Sequence, residues 1–435
     1  MLKGYREYKE TNYDWLPQVP FHWEWIYLSQ SCKEQNIKNS DKKENQVLSL
    51  SYGNIIRKKD INFGLVPKEY TGYQIVDKGN IILRLTDLQN DHTSLRTGLV
   101  KEKGIITSAY TCIKPYENSA YLQYLLHSYD TRKVFYGMGG GVRQSIGFKE
   151  IRNINIPFPP VAEQDQIVRY LDWKISMINK YINAKKKQIE LLKKQRQAVI
   201  NETVRRGHGQ KYRFRHLFTL IKGLNITKAD LVDSGVPCVS YGEIHSRYGF
   251  AVNPDINALR CVEKKYLQTN PKSLMKYGDF VFADTSEDIA GSGNFTYLNS
   301  NTQAFAGYHT IIARPNKVMN YRYLAYFFDS LLFRKQIQQN VNGVKVYSIT
   351  RSILNDTYIL LPSTDEQLSI VAHLDEQCER IDKLVDKFNE EIMLFTEYRT
   401  RLISDVVTGK VDVQGEKVPE FEMYDQGITE KEDDE

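Results

Sequence analysis

One pattern of apolar residues occurs twice in this chain and restricts its fold more than any other feature. From Glu163 to Arg206 the apolar residues follow one another in alternating steps of four and three, with polar gaps only at Lys185 and Arg196. This spacing predicts a long helix with a coiled-coil seam. The stretch from Glu366 to Thr408 repeats the pattern at a constant displacement of 203 residues. The two stretches are therefore one helical module used twice.

The repeat extends beyond the two helices. The pair Ser145-Ile146 returns as Ser348-Ile349, and the motif Tyr121-Leu122-x-Tyr124 returns as Tyr323-Leu324-x-Tyr326 with a slip of one residue. The duplicated unit is therefore a globular domain followed by a long helix. Short β-branched runs separated by Gly, Lys and Asp, with a helix after them, predict α+β domains with curled mixed β-sheets. In the second domain that helix is expected from Tyr321 to Ile337.

Opposite charges on the two helices predict that they pair with each other and separate the two domains. Residues 163–207 carry eleven Lys and Arg against five Asp and Glu, whereas residues 365–409 carry five against eleven. Pairing the unlike helices places opposite charges on facing flanks. We expect an antiparallel intramolecular pair; the alternative is two solvated helices. The predicted order is first domain, first spacer helix, second domain, second spacer helix and acidic tail: residues 1–160, 161–207, 208–363, 364–410 and 411–435.

The register of the helix pair follows from the centre of the repeat. With Lys185 facing Phe388, two charged pairs are predicted: Arg196 with Asp375, and Arg399 with Asp172. The basic run 185–187 then has two interpretations. It faces the acidic residues 390–391 or a partner subunit, or it contacts DNA that lies beneath the helices.

Bulk properties indicate a cytoplasmic protein with two ordinary domains. Of its 435 residues, 41% are hydrophobic and 26% are charged, which is enough for two cores. No apolar run is long enough to cross a bilayer, and the N-terminus lacks the apolar segment of a signal peptide. The five cysteines lie far apart without CxxC spacing, which favours neither a disulfide framework nor a zinc site.

The two globular domains hold the positive charge of the chain. The formal net charge is +6, the two helices cancel at +6 and −6, and the tail from Lys410 carries three basic against ten acidic residues. The domains therefore hold a net charge of +13. Two basic domains on a rigid spacer indicate a polyanionic ligand, most simply nucleic acid, because neutralised phosphates release counterions.

Motifs along most of the chain resemble one known family. The sequence opens with WLPxVPxxW from Trp15 to Trp23, and both helices begin E-Q-x-x-I-V-x-x-L-D, at Glu163 and Glu366. The second helix ends with the motif Val407-Thr408-Gly409-Lys410-Val411, and the first ends more loosely at Gly207. With the two Y-L-x-Y helices, the Gly-bearing loops and the Ser-Ile pairs, these motifs resemble the specificity subunit of a type I restriction-modification system over about residues 12 to 413.

The resemblance implies a non-catalytic subunit that recognises DNA. Each target-recognition domain would read one half of a bipartite double-stranded DNA site. The paired helices would fix the gap between the halves and dock two DNA methyltransferase subunits. Those partners would carry S-adenosylmethionine and methylate adenine, and motor-nuclease subunits using ATP and Mg²⁺ would complete the complex. This chain itself would bind no cofactor.

Reading bases requires donors and acceptors that reach the groove edges, and contacting phosphates requires Lys, Arg, hydroxyls or backbone amides. Three clusters with these properties recur at matching places in both domains. The first-domain candidates are Tyr52, Asn54, Arg57, Lys58, Lys59, Arg84, Thr86, Gly140, Gly141, Arg143, Gln144 and Ser145. The second-domain candidates are Tyr241, Glu243, His245, Arg247, Thr285, Gly343, Lys345, Tyr347 and Ser348. The alternative is solvated loops whose glycines serve only turns.

The chain lacks the motifs of a DNA-modifying enzyme. The FxGxG and NPPY-like motifs of adenine methyltransferases and the GxxxxGK[ST] phosphate loop are absent. Asp255 with Glu263 and Lys265 resembles the residue set of a metal-dependent nuclease, but such sets often arise by chance. Two alternatives to a specificity subunit remain: a self-contained modifying enzyme, which would bind S-adenosylmethionine alone, and a coiled-coil scaffold joining two protein-binding domains.

Overall fold

Strands and helices are interspersed along both halves of the chain, which confirms the predicted α+β class. The structure is a computed structural model and describes residues 3–58, 70–88, 95–138, 145–343 and 346–424. It divides into two compact units, one formed by residues 1–186 and 389–435 and the other by residues 187–388. Each unit contains one globular domain and a segment of both long helices.

The elements of the first domain are mostly short. Its strands are β1 (Tyr8–Tyr13), β2 (Leu16–Pro20), β3 (Glu24–Tyr27), β4 (Cys32–Glu34), β5 (Ile37–Lys38), β6 (Leu48–Ser51), β7 (Asn54–Arg57), β8 (Gln74–Val76), β9 (Ile81–Leu83), β10 (Thr97–Leu99), β11 (Gly104–Ile106), β12 (Thr111–Pro115) and β13 (Asn155–Phe158). Its helices are α1 (Leu28–Ser31), α2 (Ser119–Thr131) and α3 (Phe148–Ile151), with a 3-10 turn at Val134–Gly137. The long helix α4 (Val161–Arg206) follows.

The second domain repeats this organisation. Its strands are β14 (Gly209–Arg213), β15 (Phe218–Lys222), β16 (Val236–Val239), β17 (Phe250–Val252), β18 (Cys261–Val262), β19 (Phe280–Ala283), β20 (Thr285–Ser286), β21 (Phe295–Leu298), β22 (Phe305–Ala306), β23 (Thr310–Pro315), β24 (Tyr347–Ser348) and β25 (Tyr358–Pro362). Its helices are α5 (Phe214–Leu217), α6 (Tyr241–Ser246), α7 (Tyr266–Thr269), α8 (Tyr321–Asp329), α9 (Leu331–Gln338) and α10 (Arg351–Asp356), with 3-10 turns at Lys228–Asp230 and Pro271–Ser273. The second long helix is α11 (Thr364–Val407).

A sheet of the same topology lies at the centre of each domain. The strand order is β10-β9-β12-β4 in the first domain and β21-β19-β23-β15 in the second, where β17 adds a fifth strand. The pairing of β17 with β21 is parallel, and every pair of named strands in the described part of the first domain is antiparallel. The mixed sheet predicted for both domains therefore occurs in the second, where a long crossover separates the two parallel strands.

Each sheet is covered by a capped helix. The Asn118 side chain accepts a hydrogen bond from the backbone N–H of Tyr121 at the start of α2, and Asn320 does the same for Tyr323 in α8, both at 3.0 Å. The single helix predicted from 321 to 337 is divided into α8 and α9. The division occurs because Ser330 has extended backbone angles and serves as the N-cap of α9.

The long helices confirm the predicted helical repeat, and within each unit their segments run antiparallel. In the first unit Lys185 pairs with Glu391 at 2.8 Å, and Arg399 donates to Asn179 Oδ1 at 2.6 Å. In the second unit Arg196 donates to Asp382 at 3.0 Å, and the His208 backbone N–H donates to Glu366 at 2.9 Å. The position on one helix falls as the position on the other rises.

The predicted charged pairs between the helices are wrong by one heptad. Arg196 meets Asp382 rather than Asp375, and Arg399 meets Asn179 rather than Asp172. Asp172 instead accepts a hydrogen bond from Tyr124 at 2.6 Å, and Asp375 accepts one from Tyr326 at 2.5 Å. Each carboxylate is therefore used to hold the domain helix of its own repeat. Lys185, predicted to face Phe388, pairs with Glu391, three residues further along α11, so the displacement differs from place to place and apolar spacing alone did not decide the register.

The segment after α11 lies along the first long helix. Gln166 donates to the carbonyls of Val413 and Glu416, and the Ser176 hydroxyl and the Tyr424 backbone N–H are hydrogen-bonded at 2.8 Å. Val413 is buried in the core of the first unit. The described residues include no helix that combines the length and the apolar character needed to span a membrane.

Candidate nucleic-acid interface

The first candidate cluster of the first domain lies at the tip of a hairpin. Strands β6 and β7 pair through the two-residue turn Tyr52-Gly53, in which both residues have positive φ, 44° and 76°. Two consecutive positive φ angles are typical of a type I′ turn, which matches the twist of the flanking strands. Tyr52 is 51% exposed at this tip. Asn54 donates its side-chain amide to the Tyr52 carbonyl, so it stabilises the turn.

The hairpin packs on β10, next to the second cluster. A Cβ atom at Gly98 would lie 2.6 Å from Leu50 Cδ1 and 2.9 Å from Ile55 Cδ1, so a glycine is needed at this close approach. Just before β10, the backbone of Arg96 accepts a hydrogen bond from the Arg84 N–H at 2.8 Å. The hairpin and the loop containing Arg84 and Thr86 are therefore neighbours.

Arg96 organises the second cluster, although no sequence motif marks it. Its side chain is fully buried, and its guanidinium donates to the carbonyls of Arg84 and Thr86 at 3.1 and 2.7 Å and to Asp87 at 3.3 Å. The same group donates to the Tyr136 hydroxyl at 2.9 Å. Five donors in a rigid planar fork allow one arginine to fix several carbonyls of a loop. A lone arginine before a short strand carries no periodicity that would have identified this role.

The third cluster joins the second through one backbone hydrogen bond. The Ile146 N–H donates to the Leu85 carbonyl at 2.9 Å, next to Ser145. The same bond recurs in the second domain, where the Ile349 N–H donates to the Asp284 carbonyl at 2.8 Å. The two domains therefore assemble their candidate clusters in the same way.

In the second domain the three clusters also meet. His245 in α6 is hydrogen-bonded through Nε2 to the Thr285 carbonyl at 2.9 Å. Thr285 pairs with Ser348, and Ser286 pairs with Tyr347, in the short β20–β24 ladder. Tyr241 lies at the first turn of α6, with its ring 5.4 Å from that of His309. His309, which no sequence motif marks, has a φ of +53°, unusual for a residue with a side chain.

Some candidates have a structural role in the geometry. The Glu243 carboxylate accepts the Ser240 backbone N–H at 3.0 Å and so caps α6. Arg57 forms an exposed ion pair with Glu102, which lowers the pKa of that carboxyl. Lys58, Arg247 and Gly343 lie at exposed positions. DNA contact by these and the other candidates stays a prediction.

Six candidates lie outside the described residues: Lys59, Gly140, Gly141, Arg143, Gln144 and Lys345. The residues of the nuclease-like set form hydrogen bonds and an ion pair with other side chains instead. Asp255 accepts hydrogen bonds from Ser300 and Thr302 at 2.5 and 2.6 Å, which lower the pKa of its carboxyl, and Lys265 pairs with Glu263 at 2.9 Å. No cluster of His, Cys, Asp and Glu suited to a metal ion occurs in the part of the chain that the structure describes.

Lys185 supports one of the two interpretations of the basic run. Its ammonium pairs with Glu391 across the helix pair, and this hydrogen bond raises the pKa of Lys185. The neighbouring Tyr181 hydroxyl donates to the same carboxylate at 2.6 Å. At this position the basic run therefore faces acidic residues of α11.

The family model and the two relatives that match this chain agree with one another. Residues 33–191 match the family model described as type I restriction modification DNA specificity domain. The chain is 22% identical over 436 residues to the type I restriction enzyme MjaVIII specificity subunit of Methanocaldococcus jannaschii, covering 94% of this chain and 97% of that protein. It is 24% identical over 287 residues to the EcoKI specificity subunit of Escherichia coli K12, covering 60% and 58%.

The fold is similar to that of a solved structure. It comes from work on complex assembly and conformational transition of the type I R-M system, and it matches with a TM-score of 0.65 at 16% identity. The match covers 89% of this chain and 98% of that chain. At this identity the similarity concerns the fold alone.

Proposed function

We propose that this chain, which is similar to specificity subunits of type I restriction-modification systems, recognises a bipartite DNA target, one half with each globular domain. The observation that carries the proposal is the recurrence of one arrangement. In each domain the described members of the second and third clusters meet at a corresponding backbone hydrogen bond, from Ile146 to Leu85 and from Ile349 to Asp284. Two similar sites on one chain suit a target with two parts.

The long helices suit the role of a spacer between the two half-sites. In this proposal α4 and α11 form one antiparallel coiled coil that separates the domains and docks two DNA methyltransferase subunits. The helix α4 has 46 residues, which at about 1.5 Å per residue gives a length of roughly 70 Å. The antiparallel contacts within each unit support this arrangement.

Catalysis belongs to the partners in this proposal. The methyltransferase subunits bind S-adenosylmethionine and methylate adenine, and motor-nuclease subunits with ATP and Mg²⁺ join the complex in the cytoplasm. The chain supplies specificity and carries no catalytic site. Isothermal titration of the isolated chain with S-adenosylmethionine should give no binding heat, while the complete methyltransferase complex should bind it. Binding by the chain alone would favour the self-contained enzyme.

Methylation profiling of a host tests the bipartite target. The intact host should carry methyladenine in a motif whose two specific parts are separated by a gap of fixed length and unspecified sequence. Deleting the gene for this chain should remove that motif, and restoring the gene should return it. A short uninterrupted motif, or methylation that persists in the deletion strain, would contradict the proposal.

A further inference from the structure

A chain of hydrogen bonds in the second unit begins at two candidate DNA-contact residues. His245 bonds through Nε2 to the Thr285 carbonyl at 2.9 Å, and its Nδ1 lies 2.7 Å from the amide nitrogen of Asn294. Because an amide nitrogen can only donate, Nδ1 must accept and Nε2 must carry the proton. The His245 ring is therefore fixed on both sides in one neutral tautomer.

Arg334 decides which way the Asn294 amide points. Its guanidinium donates to Asn294 Oδ1 at 2.7 Å, so the amide NH₂ has to face His245. The same guanidinium donates to Asp329 at 3.1 Å. The side chains of Arg334 and Asp329 are only 17% and 14% exposed, so solvent screens this pair weakly.

The far end of the chain reaches both long helices. The other oxygen of Asp329 lies 3.6 Å from Arg196 of α4, and Arg196 donates to Asp382 of α11 at 3.0 Å. The backbone near Asp329 is tied to α4 as well, because Gln197 donates to its carbonyl at 2.9 Å. An unbroken series of polar contacts therefore links the helix pair to His245 and Thr285.

The first unit uses the corresponding positions differently. Arg132 lies where Arg334 lies in the second unit, at a displacement of 202 residues, the same as that of the Y-L-x-Y motif. It donates to the Ser404 hydroxyl and to the Trp15 carbonyl, both at 2.7 Å. Asp329 corresponds in the same way to His127. Arg132 thus provides a matched control.

We propose that Asn294 and Arg334 are positioning residues for the second half-site. They fix the tautomer and orientation of His245, and with it the Thr285–Ser348 ladder, relative to the spacer helices. A guanidinium in contact with a carboxylate on one side and an amide on the other can align both in one plane. This role rests on the proposed function. It gives a part in DNA recognition to two residues that lie outside the candidate clusters.

The first test measures base discrimination in each half-site separately. The complete methyltransferase complex is assembled with the wild-type chain or with Arg334→Met, Asn294→Leu or Arg132→Met, and methylation of targets altered in one half is compared. Arg334→Met and Asn294→Leu should lower discrimination about tenfold in the second half alone. Arg132→Met should leave the second half unchanged. Arg334→Lys should recover part of the loss, because Lys retains one of the donors.

Coupling separates positioning from a general loss of structure. In the His245→Ala background, Asn294→Leu should cause no further loss of discrimination, because the ring that it orients is gone. Equal loss in both half-sites, or additive effects of the two substitutions, would overturn the proposal. If the target of the wild-type complex has no second specific half, the proposed function and this role are both wrong.

The second test needs no DNA. Nitrogen NMR of the full-length chain with labelled histidine should give the Nε2-protonated neutral tautomer for His245, assigned by comparison with His245→Ala. Asn294→Leu should abolish that preference. An unchanged tautomer in Asn294→Leu would overturn the proposed positioning even if DNA recognition proceeds as proposed.

Discussion

Arg196 and Arg399 occupy the same position in the two copies of the long helix, but their neighbours differ in charge. Arg196 lies between the carboxylates of Asp382 and Asp329. Arg399 donates to Asn179, and burial lowers the pKa of its guanidinium. Burial and the charge of Arg399 together lower the pKa of His127 to about 4. A neutral histidine thus replaces a carboxylate next to the second arginine.

His127 should make the first unit sensitive to acid. Its pKa of about 4 is below the unfolded value of about 6.5, so the unfolded chain binds the proton more readily. The stabilisation is complete above pH 6.5 and is lost as the pH falls towards 4. Between pH 7 and pH 5 the wild type should lose about 2 kcal/mol more unfolding free energy than His127→Gln. Urea unfolding at both pH values checks this, and equal losses in the two proteins would contradict it.

Polar contacts mark the register of α4 against α11 within each unit. Apolar spacing permits registers that differ by whole heptads. Tyr124 and Tyr326 engage Asp172 and Asp375, and these bonds remove both carboxylates from the helix interface. In the observed register Arg196 then contacts Asp382 in the second unit, and Arg399 contacts Asn179 in the first.

Asn179→Asp should stabilise the helix pair. It places beside Arg399 a carboxylate like the one that Arg196 already has in Asp382. A charge-assisted hydrogen bond at a half-buried site should add about 1 kcal/mol to the unfolding free energy. Chemical denaturation measures the gain. Asp382→Asn, which removes a more exposed carboxylate from an arginine that keeps Asp329, should lose less than this; destabilisation by Asn179→Asp would show that desolvation of the new carboxylate dominates.

At the scale of the whole chain, the two repeats differ in how their connections are made. In the second unit α4 continues directly into β14. In the first unit two separate segments fill the corresponding place, the N-terminal residues and the residues that follow α11. The Asp412 N–H donates to the Lys3 carbonyl at 2.8 Å, and the Tyr8 hydroxyl donates to the Gly409 carbonyl at 3.1 Å. The first unit therefore depends on the segment after α11.

Truncation should separate the two parts of that segment. A chain ending at Lys410 loses the buried Val413 and the half-buried Val418, both packed in the core of the first unit, so this unit should unfold with about 2–4 kcal/mol less free energy. A chain ending at Tyr424 keeps these contacts and should match the full-length protein. Hydrogen exchange of α2 follows the first unit, and α8 serves as the internal control. Equal protection of α2 in all three chains would contradict the dependence.

The candidate interface could be predicted only in part. Glycines, hydroxyls and basic residues at matching positions identified the three clusters, and the structure brings the described members together in each domain. Arg96, Asn294 and Arg334 were missed, because each acts through contacts with residues far away in the sequence. Glu243 was chosen for its charge, but its position three residues after Ser240 makes it a helix cap.

The sequence by itself indicated the repeated pattern and the two long helices, because apolar periodicity is a property of the chain that local physics translates directly. Only the tertiary structure decided the register of the helices, the division of α8 from α9 and the polar chain from Arg196 to His245. These features depend on which of several equivalent partners a side chain reaches. That choice is made by packing between distant segments, which no local pattern records.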